Sequence, residues 1–289
     1  MQGKIIVYLL GLLSAGLAMP CQAGQNDLSG SAPAAFDGPA APVASVAPAP
    51  PVAAEPRMDL ETYASYQNLS AGYGTWNEAG VLGNYAVGSN ALQGQLAATR
   101  RFGQSGKYAE FGDTLTIDPD WYASLSAGAG DGAFYLPRYR VDAFINRKLL
   151  SRKQLVATLG LAYYAAPDGH TDRSLGLGAI YYFTEPLVVQ AEVRFNHSNP
   201  GGVNTRQQFV AGTWGRAGQT QVIGRYAWGT EGYQTIGSGV QLVDFSSTDA
   251  SVAVRHWLGQ AWGISAMLER YRNPYYDRQG ITLGLFWQL

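Results

Sequence analysis

Cysteine occurs once, at Cys21, so the chain can form no internal disulfide and no cysteine-based metal centre. Beyond the N-terminal segment there is no apolar run of the roughly 18 residues that a membrane-crossing helix needs. Charge is sparse as well: 14% of residues are charged and the formal net charge is -1, without the basic footprint of a nucleic-acid-binding protein. What is plentiful is glycine, at 36 residues, with 18 tyrosines and 7 tryptophans, while overall hydropathy stays near neutral. That balance suits a chain whose polar and apolar residues alternate and cancel in any window average.

Met1 to Ala23 reads as a secretory signal. Lys4 supplies the positive start, Ile5 to Met19 the apolar core and Cys21-Gln22-Ala23 a small-residue exit, with cleavage expected after Ala23. Residues 24–60 are rich in proline and alanine, most densely at Ala47-Pro48-Ala49-Pro50-Pro51, and bury too little apolar surface to offset ordering entropy. They are expected to form a disordered periplasmic linker, either a passive spacer or a docking arm for a periplasmic or cell-wall partner.

From 61 to 289 the pattern has a period of two. In the closing stretch, Ile281, Leu283, Leu285, Trp287 and Leu289 share one face; Thr282, Gly284 and Gln288 share the other, and only Phe286 breaks the rule. Such a strand fits a transmembrane antiparallel β-barrel, with lipid outside and water inside, and resembles the last strand of bacterial outer-membrane proteins, although those usually end on an aromatic residue. Segment counting predicts an all-β barrel of about 14 strands, the first over Asn68 to Thr75. Glu231 to Ser247 reads as a long connection or a further strand pair.

The two faces can be assigned because an Arg or Lys on the lipid face costs about 2–4 kcal/mol at midplane. Leu187, Val189, Ala191, Val193 and Phe195 therefore face lipid, while Gln190, Glu192, Arg194 and Asn196 face the lumen. Likewise Arg138, Arg140, Asp142 and Asn146 face inward, with Phe144 as an apolar intruder. The same phase places Gln93, Gln95, Arg101, Glu110, Arg225, Arg255, Glu269 and Tyr271 inside. These polar rows are the candidate functional residues, suited to a hydrated solute, or else a structural network of mutually neutralising charges. Asp113 falls on the apolar face, which implies a bulge, a shifted register or a position near a rim.

Enzyme readings are weaker, and no catalytic residue, cofactor or metal site is expected. Asp168-Gly169-His170-Thr171-Asp172 reads as a solvated turn. His197 and Ser198, adjacent on a strand, point to opposite faces and cannot pair as base and nucleophile, although hydrolase activity resting on them is the third functional hypothesis. His256 is expected at the membrane interface beside Trp257, in a girdle with Tyr181, Phe183, Trp228 and Trp262.

Asn68-Leu69-Ser70-Ala71-Gly72-Tyr73, Thr99-Arg100-Arg101-Phe102-Gly103, Arg255-His256-Trp257 and Asn273-Pro274-Tyr275-Tyr276 with the closing strand resemble the YaiO-type outer-membrane barrel family. The resemblance spans about Asn68 to Leu289. It implies a barrel in the outer membrane of a Gram-negative bacterium, in contact with its lipid, which in some members accompanies exopolysaccharide systems. The expected function is a channel or secretion pore for a polar solute or glycan, with a polysaccharide synthase or periplasmic export partner as a separate protein. The alternative is a closed surface barrel with an adhesion, receptor or structural role.

Overall fold

The computed structural model describes residues 57–184, 186–237 and 240–289; the expected signal and most of the expected linker lie outside these residues. The strands in chain order are β1 (Arg57–Leu69), β2 (Gly74–Val87), β3 (Asn90–Arg101), β4 (Gln104–Thr116), β5 (Trp121–Gly130), β6 (Tyr139–Leu149) and β7 (Leu155–Ala165). There follow β8 (Thr171–Tyr182), β9 (Leu187–Asn199), β10 (Val203–Gly215), β11 (Thr220–Gly237), β12 (Val240–Trp257), β13 (Trp262–Arg272) and β14 (Asp277–Gln288). Each pairs antiparallel with its sequence neighbours, and β1 meets β14 from Asp59 opposite Gln288 to Leu69 opposite Arg278. The result is a closed barrel of 14 strands, without a sheet edge.

Side-chain alternation sets inside and outside. Leu96, Phe111, Leu125, Leu177, Leu268 and Leu283 are exposed on the outer wall, whereas Gln95, Glu110, Ser126, Glu192 and Thr282 are buried within. Phe286, the exception in the closing strand, points into the bore and covers Gly263 directly opposite; Phe144 covers Gly160 and Tyr63 covers Gly80 in the same way. An inward aromatic thus fills the space that each facing glycine leaves.

Both chain ends of the barrel lie at one rim, here termed the terminal rim, and the opposite end is the far rim. Trp214, Trp262 and Phe183 ring the outer wall toward the terminal rim, while Tyr66, Tyr139, Tyr226 and Trp228 ring it toward the far rim. The expected single girdle is therefore two. Trp257 belongs to neither: it is buried inside, with Nε1 donating to Gln288 Oε1 at 2.8 Å, while His256 faces outward against Thr220.

Three boundaries differ from the sequence reading. Asn68–Thr75 is not the first strand: Ser70 to Tyr73 form the turn that joins β1 to β2, with Ala71 at φ 56° and Gly72 at φ 82°. The true first strand starts at Arg57, taking in 57–60, because Glu61, Ser65 and Gln67 alternate inward against β14. Residues 231–237 and 240–247 form neither a loop nor an extra strand pair; they extend β11 and β12 to 18 residues each. At the far rim residues 131–138 form a loop between β5 and β6, whereas Thr171 and Asp172 belong to β8 and Asp277 and Arg278 to β14. Asp113 sits in unbroken register on both sides, three residues from the end of β4, so nearness to the rim explains its outward position.

Candidate functional site

The bore is lined by charges that neutralise one another. Arg140 grips Asp142 with two hydrogen bonds, of 2.6 and 2.9 Å, and Arg194 meets Glu192 at 2.7 Å. In both cases the partners are two residues apart on one strand and so share its inner face. Other pairs bridge strands. Arg255 reaches Glu61 at 2.5 Å, Arg225 meets Asp249 at 2.9 Å, Arg101 meets Glu78 at 3.3 Å, and Arg278 lies 3.6 Å from Glu269.

Neutral groups complete the network. Tyr63 donates to Glu78 at 2.8 Å, Tyr108 to Glu110 at 2.7 Å, Tyr271 to Glu231 at 2.8 Å and Gln67 to Glu269 at 2.7 Å. Arginine faces also stack on inward rings, with Arg255 3.6 Å from the Phe286 centroid and Arg101 4.7 Å from that of Trp76. These contacts hold the guanidinium planes against the wall. Removing one partner of such a buried pair leaves the other charge uncompensated.

Of the residues singled out from sequence, Arg101, Glu110, Arg140, Asp142, Glu192, Arg194, Arg225, Arg255 and Tyr271 are buried on the inner face. Glu269 has a side chain 6% exposed, and Gln190 is half-buried in the same row. Arg138 stands apart: it lies just before β6 at the far rim and is exposed. Glu61, Glu78, Asp249 and Arg278 complete the pairs, although the sequence reading did not single them out. Asp249 shares the alternation phase of Arg255 along β12, and Glu61 that of Ser65 and Gln67 along β1, which is the signal that could have found them.

The far mouth is spanned by side chains. At Gly229 a Cβ would collide with the Arg206 carbonyl oxygen and Gln207, and beyond this point residues 232–235 of β11 are buried on both faces. In β12 the inward phase shifts at Asp244, whose φ is 46°. The end of the β11–β12 hairpin therefore leaves the wall and folds over the opening. Tyr233 donates to the Pro200 carbonyl at 2.5 Å and packs on His170, with ring centroids 4.3 Å apart. Gln241 donates to Asp168 at 2.7 Å, and Gln234 hydrogen-bonds Tyr276. On the other side Leu242 and Phe245 pack with Trp76, Tyr271 and Tyr276.

The 131–138 loop completes this closure. Tyr135 and Leu136 are fully buried, and the Tyr135 hydroxyl donates to the carbonyls of Thr99 and Gln104 at 3.2 and 3.0 Å. Burial in the loop raises the Tyr135 phenol above its ordinary pKa.

The residues considered for catalysis are placed otherwise. His197 faces outward and bonds Asn204 at 2.8 Å, while Ser198 faces inward and bonds Asp172 and Asn196. His170 pairs with Asp168 at 3.0 Å, whereas Asp172 turns to Ser198. Among the described residues no group of three His, Cys, Asp or Glu side chains could hold a metal ion.

A family model described as the YaiO membrane beta barrel domain matches residues 58–234. Among solved structures, the chain is similar to a CymD monoaromatic hydrocarbon channel at TM-score 0.54 and 6% identity, covering 81% of this chain and 87% of that one. It is similar to a bacterial polysaccharide outer membrane secretin at TM-score 0.53 and 8% identity, covering 80% and 98%. A loop-deleted OmpT, an outer membrane protein of Vibrio cholerae, matches at TM-score 0.48 and 13% identity, covering 80% and 98%. The comparison with curated proteins gave no match. The likenesses at these identities show the fold, a porin-like outer-membrane barrel.

Proposed function

Because the chain belongs to the YaiO membrane beta barrel family and resides in the outer membrane of a Gram-negative bacterium, we propose that it is a gated pore for a polar, uncharged solute, a glycan above all. The terminal rim faces the periplasm and the far rim faces outward, in keeping with short periplasmic turns. The observation that carries this reading is the character of the bore. Its arginines are paired, and buried polar atoms of Ser65, Ser126, Gln207, Thr213 and Thr282 have no protein partner. Buried hydroxyls and amides call for hydrogen bonds, which water or a sugar supplies.

The related folds are described as carrying very different cargoes, a hydrocarbon and a polysaccharide, so the fold does not choose between them. The polar lining favours the glycan. The β11–β12 hairpin acts as the gate, and a polysaccharide synthase or export partner acts from the periplasmic side.

Single-channel recording in planar bilayers tests this. A barrel whose hairpin is shortened by deleting residues 232–244 should conduct steadily and be blocked transiently by neutral oligosaccharides, while the intact barrel opens rarely. A shortened, folded barrel that never conducts would overturn the pore. The sealed far mouth, with Tyr135 and Leu136 fully buried, favours a second reading, a closed barrel acting through its outer surface. In that case loss of the hairpin abolishes surface binding and leaves permeability unchanged.

A further inference from the structure

The outer wall near the far rim carries arginines that face away from the bore, and two pairs of them contrast. Arg270 and Arg272 are answered by Asp277 at 3.2 and 3.5 Å. Arg173 and Arg206 have no acid on their side of the wall: across β7 to β11 the outward faces carry no acidic residue among the described residues.

Strand register fixes the geometry. Arg173, His197 and Asn204 form one row across β8, β9 and β10, and the 2.8 Å bond between His197 Nδ1 and Asn204 Oδ1 holds the ring in that row. Arg206 lies one outward step deeper, opposite Phe195, which in turn pairs with Leu175. Both apolar side chains are exposed on the outer wall. Stacked aromatic pairs bound the patch: Tyr139 with Tyr163 at 5.8 Å on one side, Tyr226 with Trp228 at 5.4 Å on the other. Near the interface an outward arginine is tolerated on the lipid face, level with the headgroups, and guanidinium matches phosphate through paired N–H donors.

We propose that Arg173, His197 and Arg206 form a binding site for the phosphorylated sugar headgroup of an outer-leaflet glycolipid, whose acyl chains lie along Leu175 and Phe195. The site requires the orientation given above and is independent of transport. A cysteine introduced by Asp131→Cys, labelled on intact cells with a membrane-impermeant maleimide, reads that orientation separately.

The test is native mass spectrometry of the detergent-folded barrel with bisphosphorylated lipid A, after heat-shifted gel migration has shown each variant to be folded. The Arg173→Gln/Arg206→Gln double variant should retain at least about fivefold less lipid A, and the Arg270→Gln/Arg272→Gln variant should stay within about twofold of wild type. Dephosphorylated lipid A should bind wild type no better than intact lipid A binds the first variant. Undiminished retention by that variant, or equal losses in both, overturns the site. Displacement of lipid A by inorganic phosphate also overturns it, since that would mark a site for free anions.

Discussion

Arg255 shows how one side chain couples three strands. Its guanidinium meets Glu61 of β1 at 2.5 Å and lies over Phe286 of β14, while Ser265 of β13 donates to the same Glu61 at 2.6 Å. Glu61→Gln should therefore lower unfolding stability by about 3–5 kcal/mol, because a buried cation loses its counter-charge. Urea unfolding from lipid vesicles, followed by tryptophan fluorescence, measures this; Glu61→Met with Arg255→Met should recover most of the loss. A single-variant loss within noise would remove the pair from the account of stability. Asp113 gives the opposite sign. It faces lipid between the exposed Phe111 and Leu115, with a buried Oδ1 that finds no hydrogen bond, so Asp113→Leu should leave stability unchanged or raise it by up to about 1 kcal/mol near the interface. The alternation alone exposed Phe144, Phe286 and Asp113 as exceptions. Their reasons were hidden, because each depends on what lies across the strand gap: a glycine, an arginine or the membrane edge.

Among the elements, the β11–β12 hairpin was the least legible. A strand buried on both faces loses the two-residue period that betrays it, and residues 231–235 are buried on both faces where the hairpin folds over the mouth. The first strand was obscured differently: Tyr63 and Leu69 point inward while Thr62 and Asn68 point outward, which blurs the contrast between faces. The hairpin's departure depends on Gly229, where a side chain would strike the neighbouring strand. Gly229→Val should straighten the hairpin off the mouth, seen as faster proteolysis within 232–245 and more frequent channel openings; an unchanged digestion pattern would deny the hinge. At the terminal rim, Lys153 ties two turns together through Asp120 at 2.7 Å and the Pro119 carbonyl at 3.0 Å. The hydrogen bond from Lys153 holds the Asp120 carboxyl below the ordinary aspartate range. A carboxylate pKa depressed by folding contributes stability above its unfolded value, and that contribution disappears as pH falls through the folded value. Carbon-13 titration should place Asp120 below an ordinary aspartate, and Lys153→Gln should return it to the ordinary range.

For the whole molecule, the outer wall is set by lipid, so the closed 14-strand architecture could be read from alternation. The inner wall answers to electroneutrality, a property no single segment displays. Among the described residues, seven buried acids, Glu61, Glu78, Glu110, Asp142, Asp172, Glu192 and Glu231, stand against seven buried cations, Arg101, Arg140, Lys148, Arg194, Arg225, Arg255 and Arg278. Asp249 and Glu269, less deeply placed on the same face, tip the balance slightly toward negative. Ion selectivity follows the net field along a pore more than the number of charges in it. A hairpin-shortened barrel in a potassium chloride gradient should thus show a reversal potential near zero with a small cation bias. Arg225→Gln, which removes the cation beside Asp249, should enlarge that bias, and Asp249→Asn should shrink it. Strong anion selectivity in the unsubstituted barrel would mean that the pairs seen across the bore do not set its field, and the reading of a lining made for uncharged solutes would fail with them.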